Sequence, residues 1–337
     1  MATMSAEPAL HTRDLRKSFR TKRRTVEAVR GIDLEVRPGE IFGFLGPNGA
    51  GKTTTLRMLA TLLPVGGGEA TVAGADVRRK PHEVRRHIGY VGQLGGTDLP
   101  ATGRENLLLQ GRLHGAGRVD AARRAEELIE LLELTEFADR IARTYSGGQR
   151  RRLDVALGIM HRPAVLFLDE PTSGLDPQNR ANLWDQLRTL RTLGTTIFLT
   201  THYLEEADAL SDRLAIIDHG RIVSEGTPSE LKRRVAEETV LITPRRGADG
   251  IDGLCGDLAR EPFVDGARVE GGTVRVSLAD PAQAMPAMSA ILGLLQRTGM
   301  PLESVARWEP SLDDVFLRQT GRSLRDAGRE IDGEEVA

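Results

Sequence analysis

The chain has 337 residues, 39% of them hydrophobic and 28% charged, with a formal net charge of -2 at pH 7. That length holds two domains with a large core in at least one, and the near-neutral balance gives no electrostatic reason to expect a nucleic-acid partner. A single cysteine, Cys255, excludes an internal disulfide framework, and no apolar run reaches the roughly 18 residues that span a bilayer.

Met1–Pro8 lacks the charged-then-apolar layout of a secretory signal, so the chain is expected not to cross a membrane by itself. From Ala9 to Leu45 short strands and tight turns are expected. Ile32, Leu34 and Val36 alternate with Asp33, Glu35 and Arg37, the period of a half-exposed strand. Arg37-Pro38-Gly39-Glu40 then turns the chain into a fully apolar run, Ile41–Leu45. Next comes Gly46-Pro47-Asn48-Gly49-Ala50-Gly51-Lys52-Thr53, which fits G-x-x-x-x-G-K-[ST] at every fixed position. Thr54 to Leu63 reads as a helix stopped by Pro64, completing the strand–loop–helix context this pattern needs. Glycines let consecutive N–H groups turn inward on a phosphate, and the helix adds its positive end. Lys52 suits the β- and γ-phosphates and the Thr53 hydroxyl suits Mg²⁺.

Val65 to Gly74 reads as a glycine-rich connection, and His87–Gln93 as a buried strand ending on the amide of Gln93. Arg104–Leu107 opens a helical region in which Ala121–Leu134 carries Leu128, Ile129, Leu131 and Leu132 along an acidic frame. Tyr145-Ser146-Gly147-Gly148-Gln149 precedes a helix from Arg150 to about His161, which puts Ser146 at a helix N-terminus, a second position suited to an anion. Ala164–Leu168 is a continuous apolar run ending in Asp169-Glu170, as in a buried parallel strand whose carboxyl end gathers ligand groups. There Asp169 suits Mg²⁺, Glu170 suits polarising a water, and Gln93 can complete the metal shell. Ala181–Leu193 is expected to be helical, with Gly194 as its stop. Thr195–Thr201 is then a buried strand ending on His202, within reach of a γ-phosphate or the attacking water. Leu214–Ile217 and Arg221–Val223 form a hairpin, and Thr227-Pro228-Ser229-Glu230 starts a short helix.

Near Glu237 the pattern changes. Val240–Ile242 and Val274–Leu278 read as strands and Ala284–Thr298 as a helix; Ser311–Asp314 caps a last helix, Val315–Thr320. The expected division is a main domain over residues 1–236, a small α+β domain over 237–321, and a charged tail, 322–337, that frays. The clusters Lys22-Arg23-Arg24 and Arg78-Arg79-Lys80 read as solvated surface.

In this order the motifs resemble the nucleotide-binding subunits of ABC transporters, from about Leu10 to Glu230. Gly46 to Thr53 matches the Walker A loop and Gln93 the Q-loop. Ser146-Gly147-Gly148-Gln149 is the family signature, the most specific of the set, and Leu166–Glu170 matches Walker B with its catalytic glutamate. Ser173-Gly174-Leu175-Asp176 matches the D-loop and His202 the switch histidine. The resemblance implies an α/β phosphate-loop ATPase with a RecA-like core, an antiparallel β subdomain and a helical subdomain at about 97–162. It implies ATP and Mg²⁺ as cofactors, and Glu170, His202 and Lys52 as catalytic residues. Nucleotide contacts are implied for Phe19 (usually a tyrosine stacking on adenine), Gly46, Pro47, Asn48, Gly49, Ala50, Gly51, Lys52, Thr53, Thr54 and Gln93. Ser146, Gly147, Gly148, Gln149 and Asp176 complete that set, and Thr53, Gln93 and Asp169 are implied to hold the metal. Two copies would pair head to tail with ATP sandwiched between one copy's Walker A loop and the other's signature.

A narrower likeness rests on Tyr145 in place of the usual signature leucine, on Gly103–Leu107, and on Pro310–Leu317. These resemble the daunorubicin-resistance branch, whose small C-terminal domain matches residues 237–321 in place and length. That implies an ABC-2 type exporter: a separate membrane permease, hydrophobic antibiotic-like cargo, and a peripheral position on the cytoplasmic face of the membrane. The alternative is a soluble ABC ATPase acting on ribosomes or DNA. Chains of that kind typically carry two cassettes or a long coiled-coil insertion; one cassette without sustained heptads favours the transporter. No sequence feature excludes import.

Overall fold

The computed structural model describes residues 7–20, 25–235, 239–245, 250–279, 284–308 and 310–324. Two compact units emerge, Met1–Pro228 together with Gln319–Ala337, and Ser229–Arg318. The expected boundary at Glu237 and the Lys22-Arg23-Arg24 cluster lie outside the described residues.

In chain order the first unit contains β1 (Leu10–Arg20), β2 (Thr25–Val36), β3 (Ile41–Leu45), α1 (Lys52–Leu59), β4 (Gly67–Val72), β5 (Ala75–Asp76), α2 (Pro81–His87) and β6 (Ile88–Val91). The helices α3 (Gly103–Leu113), α4 (Arg118–Leu131) and α5 (Gly147–Gly158) follow. The chain returns through β7 (Val165–Asp169), α6 (Pro177–Thr192), β8 (Thr196–Thr201), α7 (Leu204–Leu210), β9 (Arg213–Asp218) and β10 (Arg221–Gly226).

The six-stranded sheet has the order β10-β9-β3-β8-β7-β6, parallel except for the β9–β10 hairpin. Strands β3 and β7 are buried at every residue, which is why their sequences are continuous apolar runs rather than alternating ones. Phe42, Phe44, Phe167 and Phe198 fill one face of this sheet, Phe42 stacking on Phe198 at 5.8 Å. Register decides where the chemistry lies. Asp169 sits beside Thr200 and Leu45 beside Thr201, so the loops leaving β3, β7 and β8 emerge side by side.

A separate antiparallel sheet, β2-β1-β4-β5, packs the first segment of the chain. Here the expected connection at Val65–Gly74 is corrected: Gly67–Val72 is a strand, paired antiparallel to β1. Its two glycines and Glu69 give it little strand propensity of its own, and the distant pairing partner upstream, β1, supplies what local sequence lacks. Helices α3 to α5 share a core of Leu107, Leu128, Ile129, Leu132 and Leu153, with α3 started by a capping box between Thr102 and Glu105.

The second unit carries α8 (Pro228–Val235), β11 (Thr239–Pro244), α9 (Ile251–Leu258), β12 (Val264–Glu270), β13 (Thr273–Leu278), α10 (Ala284–Thr298), β14 (Leu302–Arg307) and α11 (Leu312–Thr320). Its sheet runs β12-β13-β11-β14, all antiparallel, over a core that includes Val240, Ile242, Val274, Val276 and Ile291. The segment expected to fray from residue 322 begins packed. Arg322 bonds Asp218 and His219, and Leu324 is buried at 6% exposure, because a guanidinium and an apolar side chain both find partners on the first unit. Residues 325–337 lie outside the described residues. Among those described, no helix is long and apolar enough to cross a membrane.

Candidate active site

The loop between β3 and α1 is held in place by glycine geometry. Gly51 has φ +105° and a Cβ there would lie 2.4 Å from the Ala28 carbonyl oxygen; at Gly46 it would lie 2.3 Å from that of Ile217. Helix α1 starts immediately afterwards, so Lys52 and Thr53 occupy its first turn. Lys52 is 4% exposed and its Nζ donates to the carbonyls of Gly46 (2.8 Å) and Pro47 (3.0 Å), curling over the loop's mouth. Burial pulls its pKa below the usual lysine value, opposed by the carboxylates of Glu170 and Asp169.

Asp169 ends β7 and is fully buried. Its Oδ1 accepts from the hydroxyls of Thr53 (2.9 Å) and Thr200 (2.7 Å), while its Oδ2 has no protein partner. A buried carboxylate oxygen left open beside a hydroxyl, on an acid that both strands hold rigid, is the donor set a hard divalent cation takes. The residues present therefore fit Mg²⁺.

Glu170 follows in the left-handed region, φ +47°, a conformation costly for a side chain with a Cβ. Its N–H donates to both the carbonyl and the hydroxyl of Thr200, which fixes that turn and aims the carboxylate back toward the phosphate loop. Glu170 Oε1 stands 3.5 Å from Lys52 Nζ and 3.2 Å from His202 Nδ1. Burial pushes the carboxyl's pKa up, but the neighbouring His202 and Lys52 outweigh it, and Glu170 stays below the usual glutamate value. It is ionised at neutral pH, as an acceptor of a water's proton must be.

Lys52, Thr53, Asp169, Glu170 and His202 are thus one constellation. Gln93 shares a groove of about 430 Å³ with Gly147, Glu170 and Ser173, and a second of about 610 Å³ with Tyr90, His114 and His161. Ser146 and Asp176 are engaged with their own helices: Ser146 Oγ accepts from Gln149 N–H (3.2 Å), and Asp176 Oδ1 from Asn179 N–H (3.0 Å). The two caps lie close, since a Cβ on Gly148 would come within 2.3 Å of Asn179 Oδ1. Phe19 is 39% exposed on β1, with Lys17 Nζ 5.5 Å from its ring centre.

Sequence reasoning missed Thr200, whose hydroxyl ties Asp169 to Glu170. The signal was present, a buried strand ending in two hydroxyls just before His202. It also missed Arg151, whose three carbonyl partners are Gly92, after β6, and Asp169 and Pro171, at and just past the end of β7.

Residues 29–173 match the ABC transporter family model. The chain is 43% identical to the daunorubicin/doxorubicin resistance ATP-binding protein DrrA of Streptomyces peucetius, over 98% of this chain and 99% of that one. It is 38% identical to the Nod factor export ATP-binding protein I of Ralstonia nicotianae, over 96% and 97% of the two chains. Among solved structures, the cassette MJ0796, dimeric and bound to ADP and Pi, aligns with a TM-score of 0.60 at 24% identity, covering 65% of this chain and 98% of that one. These matches agree with the geometry around Lys52 and Glu170: the chain belongs to the ABC transporter family, as an ATPase subunit of the daunorubicin-resistance branch.

Proposed function

We propose that this ATPase powers export of a hydrophobic, antibiotic-like compound through a separate ABC-2 type membrane permease, from a peripheral position on the cytoplasmic face of the membrane. The observation that carries the chemistry is Glu170 poised between Lys52 and His202 at the mouth of the phosphate loop. The names of the DrrA relatives, which cover nearly the whole chain including its second unit, support drug-like cargo.

In this reading the loop N–H groups from Gly46 to Thr54 cradle the phosphates of ATP, and Phe19 stacks on the adenine. Lys52 leaves its carbonyl partners for the γ-phosphate, and Glu170, released from that ion pair, accepts the proton of the attacking water. His202 orients the water or the γ-phosphate. Thr53 and Asp169, with Gln93, hold Mg²⁺, which when bound neutralises charge on the phosphate oxygens. The signature residues Ser146, Gly147, Gly148 and Gln149, with Asp176, reach the nucleotide of a second copy, so two chains close head to tail around two ATP molecules. A helix N-terminus capped by Ser146 suits a γ-phosphate arriving from that copy.

The test is co-expression with its permease, reconstitution in vesicles, and ATPase measurement with daunorubicin present. Cargo-stimulated turnover and ATP-dependent drug movement are expected. Turnover unaffected by the permease and by every hydrophobic drug tried would reject the transport reading while leaving the ATPase intact.

A further inference from the structure

Helix α5 does more than present Ser146. Five and eight residues beyond that cap, it carries two charged side chains that are almost fully buried, Arg151 at 7% and Asp154 at 6% exposure. Arg151 donates to three carbonyl oxygens: Nη1 to Gly92 (2.6 Å), Nη2 to Asp169 (3.1 Å) and Nε to Pro171 (2.7 Å). Asp154, one turn further on the same face, accepts at Oδ1 from the N–H of Gly96 (2.9 Å), the N–H of Thr97 (3.1 Å) and the Thr97 hydroxyl (2.7 Å). The approach is close enough to require glycine at position 95, where φ is +71° and a Cβ would lie 2.4 Å from Asp154 Oδ2.

The backbone is therefore fastened to α5 just before Gln93, at Gly92, and just after it, at Gly96 and Thr97. The same guanidinium also grips the carbonyl of Asp169 and so reaches the end of β7. A helix transmits a displacement along its axis as a stiff rod, and Ser146 to Arg151 spans only about 7.5 Å of rise. In the head-to-tail dimer, Gln93 serves a chain's own nucleotide and Ser146 serves the partner's. A shift of Ser146 on meeting the partner's γ-phosphate would be carried to Gln93 through these bonds.

We propose that Arg151 and Asp154 are positioning residues that lock the Gln93 loop to the signature helix and thereby couple the two ATP sites of the dimer. This rests on the head-to-tail reading above. Coupling of this kind is a reciprocal free energy between sites, visible as cooperativity in ATP.

The test uses the full-length chain and ATP titrations of phosphate release for the wild type, Arg151→Met, Arg151→Lys and Asp154→Asn. The wild type is expected to show a Hill coefficient above 1 and below about 2, the limit for two sites. Arg151→Met and Asp154→Asn should bring it to 1 and lower kcat about tenfold with KM changed less than about threefold, as loss of a transition-state arrangement does. Arg151→Lys, which keeps a donor for Gly92, should recover part of the cooperativity; a purely structural role would move the melting temperature and leave the Hill coefficient alone. Should Arg151→Met fail to fold, Thr97→Val, which removes one hydroxyl bond to Asp154, carries the same expectation on a smaller scale. A wild-type coefficient of 1, or folded variants that keep the wild-type coefficient and kcat, would overturn the proposal. The dimer is checked separately with Glu170→Gln in ATP by size-exclusion chromatography. A dimer there alongside unaltered cooperativity in the Arg151 and Asp154 variants rejects the coupling alone, whereas a monomer rejects the head-to-tail reading itself.

Discussion

Glu170 Oε1 lies 3.5 Å from Lys52 Nζ, so the carboxylate suited to activating water and the ammonium suited to the γ-phosphate hold each other across the mouth of the phosphate loop. Lys52 is buried and Glu170 mostly so, and each compensates the other's desolvation. In the proposed mechanism, binding of a triphosphate exchanges this pair for Lys52–phosphate contact and leaves Glu170 ionised and facing the incoming water. Glu170→Gln keeps the shape and removes the base. Turnover should fall by about 10²–10⁴-fold while ATP affinity is kept or rises, because Lys52 no longer has an anionic competitor. Single-turnover phosphate release and calorimetric titration measure the two halves; hydrolysis at the wild-type rate would remove Glu170 from its role.

The metal reading turns on one oxygen. Asp169 Oδ1 is saturated by Thr53 and Thr200, whereas Oδ2 is buried and open. Asp169→Asn preserves packing but presents an amide where a cation would be held. The Mg²⁺ concentration for half-maximal turnover should rise at least about tenfold, while ATP binding in EDTA stays close to that of the wild type. A Mg²⁺ titration of phosphate release decides, and an unaltered midpoint would place the ion elsewhere.

What the sequence made legible was local. The phosphate loop, the Asp169-Glu170 strand end and His202 each announce themselves within a few residues, because a buried parallel strand is a continuous apolar run and its carboxyl end is where polar residues resume. The helix Ala284–Thr298 was legible for the same reason, periodicity bounded by Gly299 and Pro301. What was not legible depends on pairing at a distance. β4 is a strand by virtue of β1, α2 hides in a basic stretch with one buried side chain, Val84, and β12 is an edge strand of intermediate and exposed residues. Arg151 reads from sequence as one of three consecutive arginines. Nothing in that run says that the middle one is buried on three carbonyls.

Tyr145, the departure from the usual signature leucine, is built into the fold. Its hydroxyl donates to the Phe137 carbonyl at 2.5 Å, its ring meets that of Phe137 edge-on at 4.9 Å, and a Cβ on Gly103 would lie 2.3 Å from its oxygen. Tyr145 and Gly103, both singled out by the branch resemblance, are thus parts of one packing unit. Tyr145→Phe removes this bond and leaves the Phe137 carbonyl with the Arg140 N–H alone, and should cost about 1 kcal/mol; Gly103→Ala forces the phenol out and should cost about 1–3 kcal/mol. In Tyr145→Phe the alanine at 103 should be better tolerated than in the wild type, giving non-additive losses in a double-mutant cycle followed by urea unfolding. Strict additivity would show that the two do not compete for the same space.

His161 makes stability depend on pH. Its Nε2 donates to the Ile88 carbonyl at 2.9 Å, its Nδ1 is buried without a partner, and its ring stacks on that of His114 at 3.8 Å. A second proton would sit on that closed-in Nδ1, against another imidazole; burial above all, then the nearby His114, lower the pKa to about 4. The unfolded chain, titrating at the ordinary value near 6.5, therefore binds more protons than the folded one between these limits. Stability is complete above about pH 6.5 and is lost as pH falls toward 4. Allowing for the ring's partial exposure, the loss between pH 7 and pH 5 should be about 1 kcal/mol. His161→Gln keeps a donor for Ile88 and cannot titrate, so its urea midpoint should fall less over that interval than the wild type's. Equal slopes for the two proteins would assign the acid sensitivity to another group.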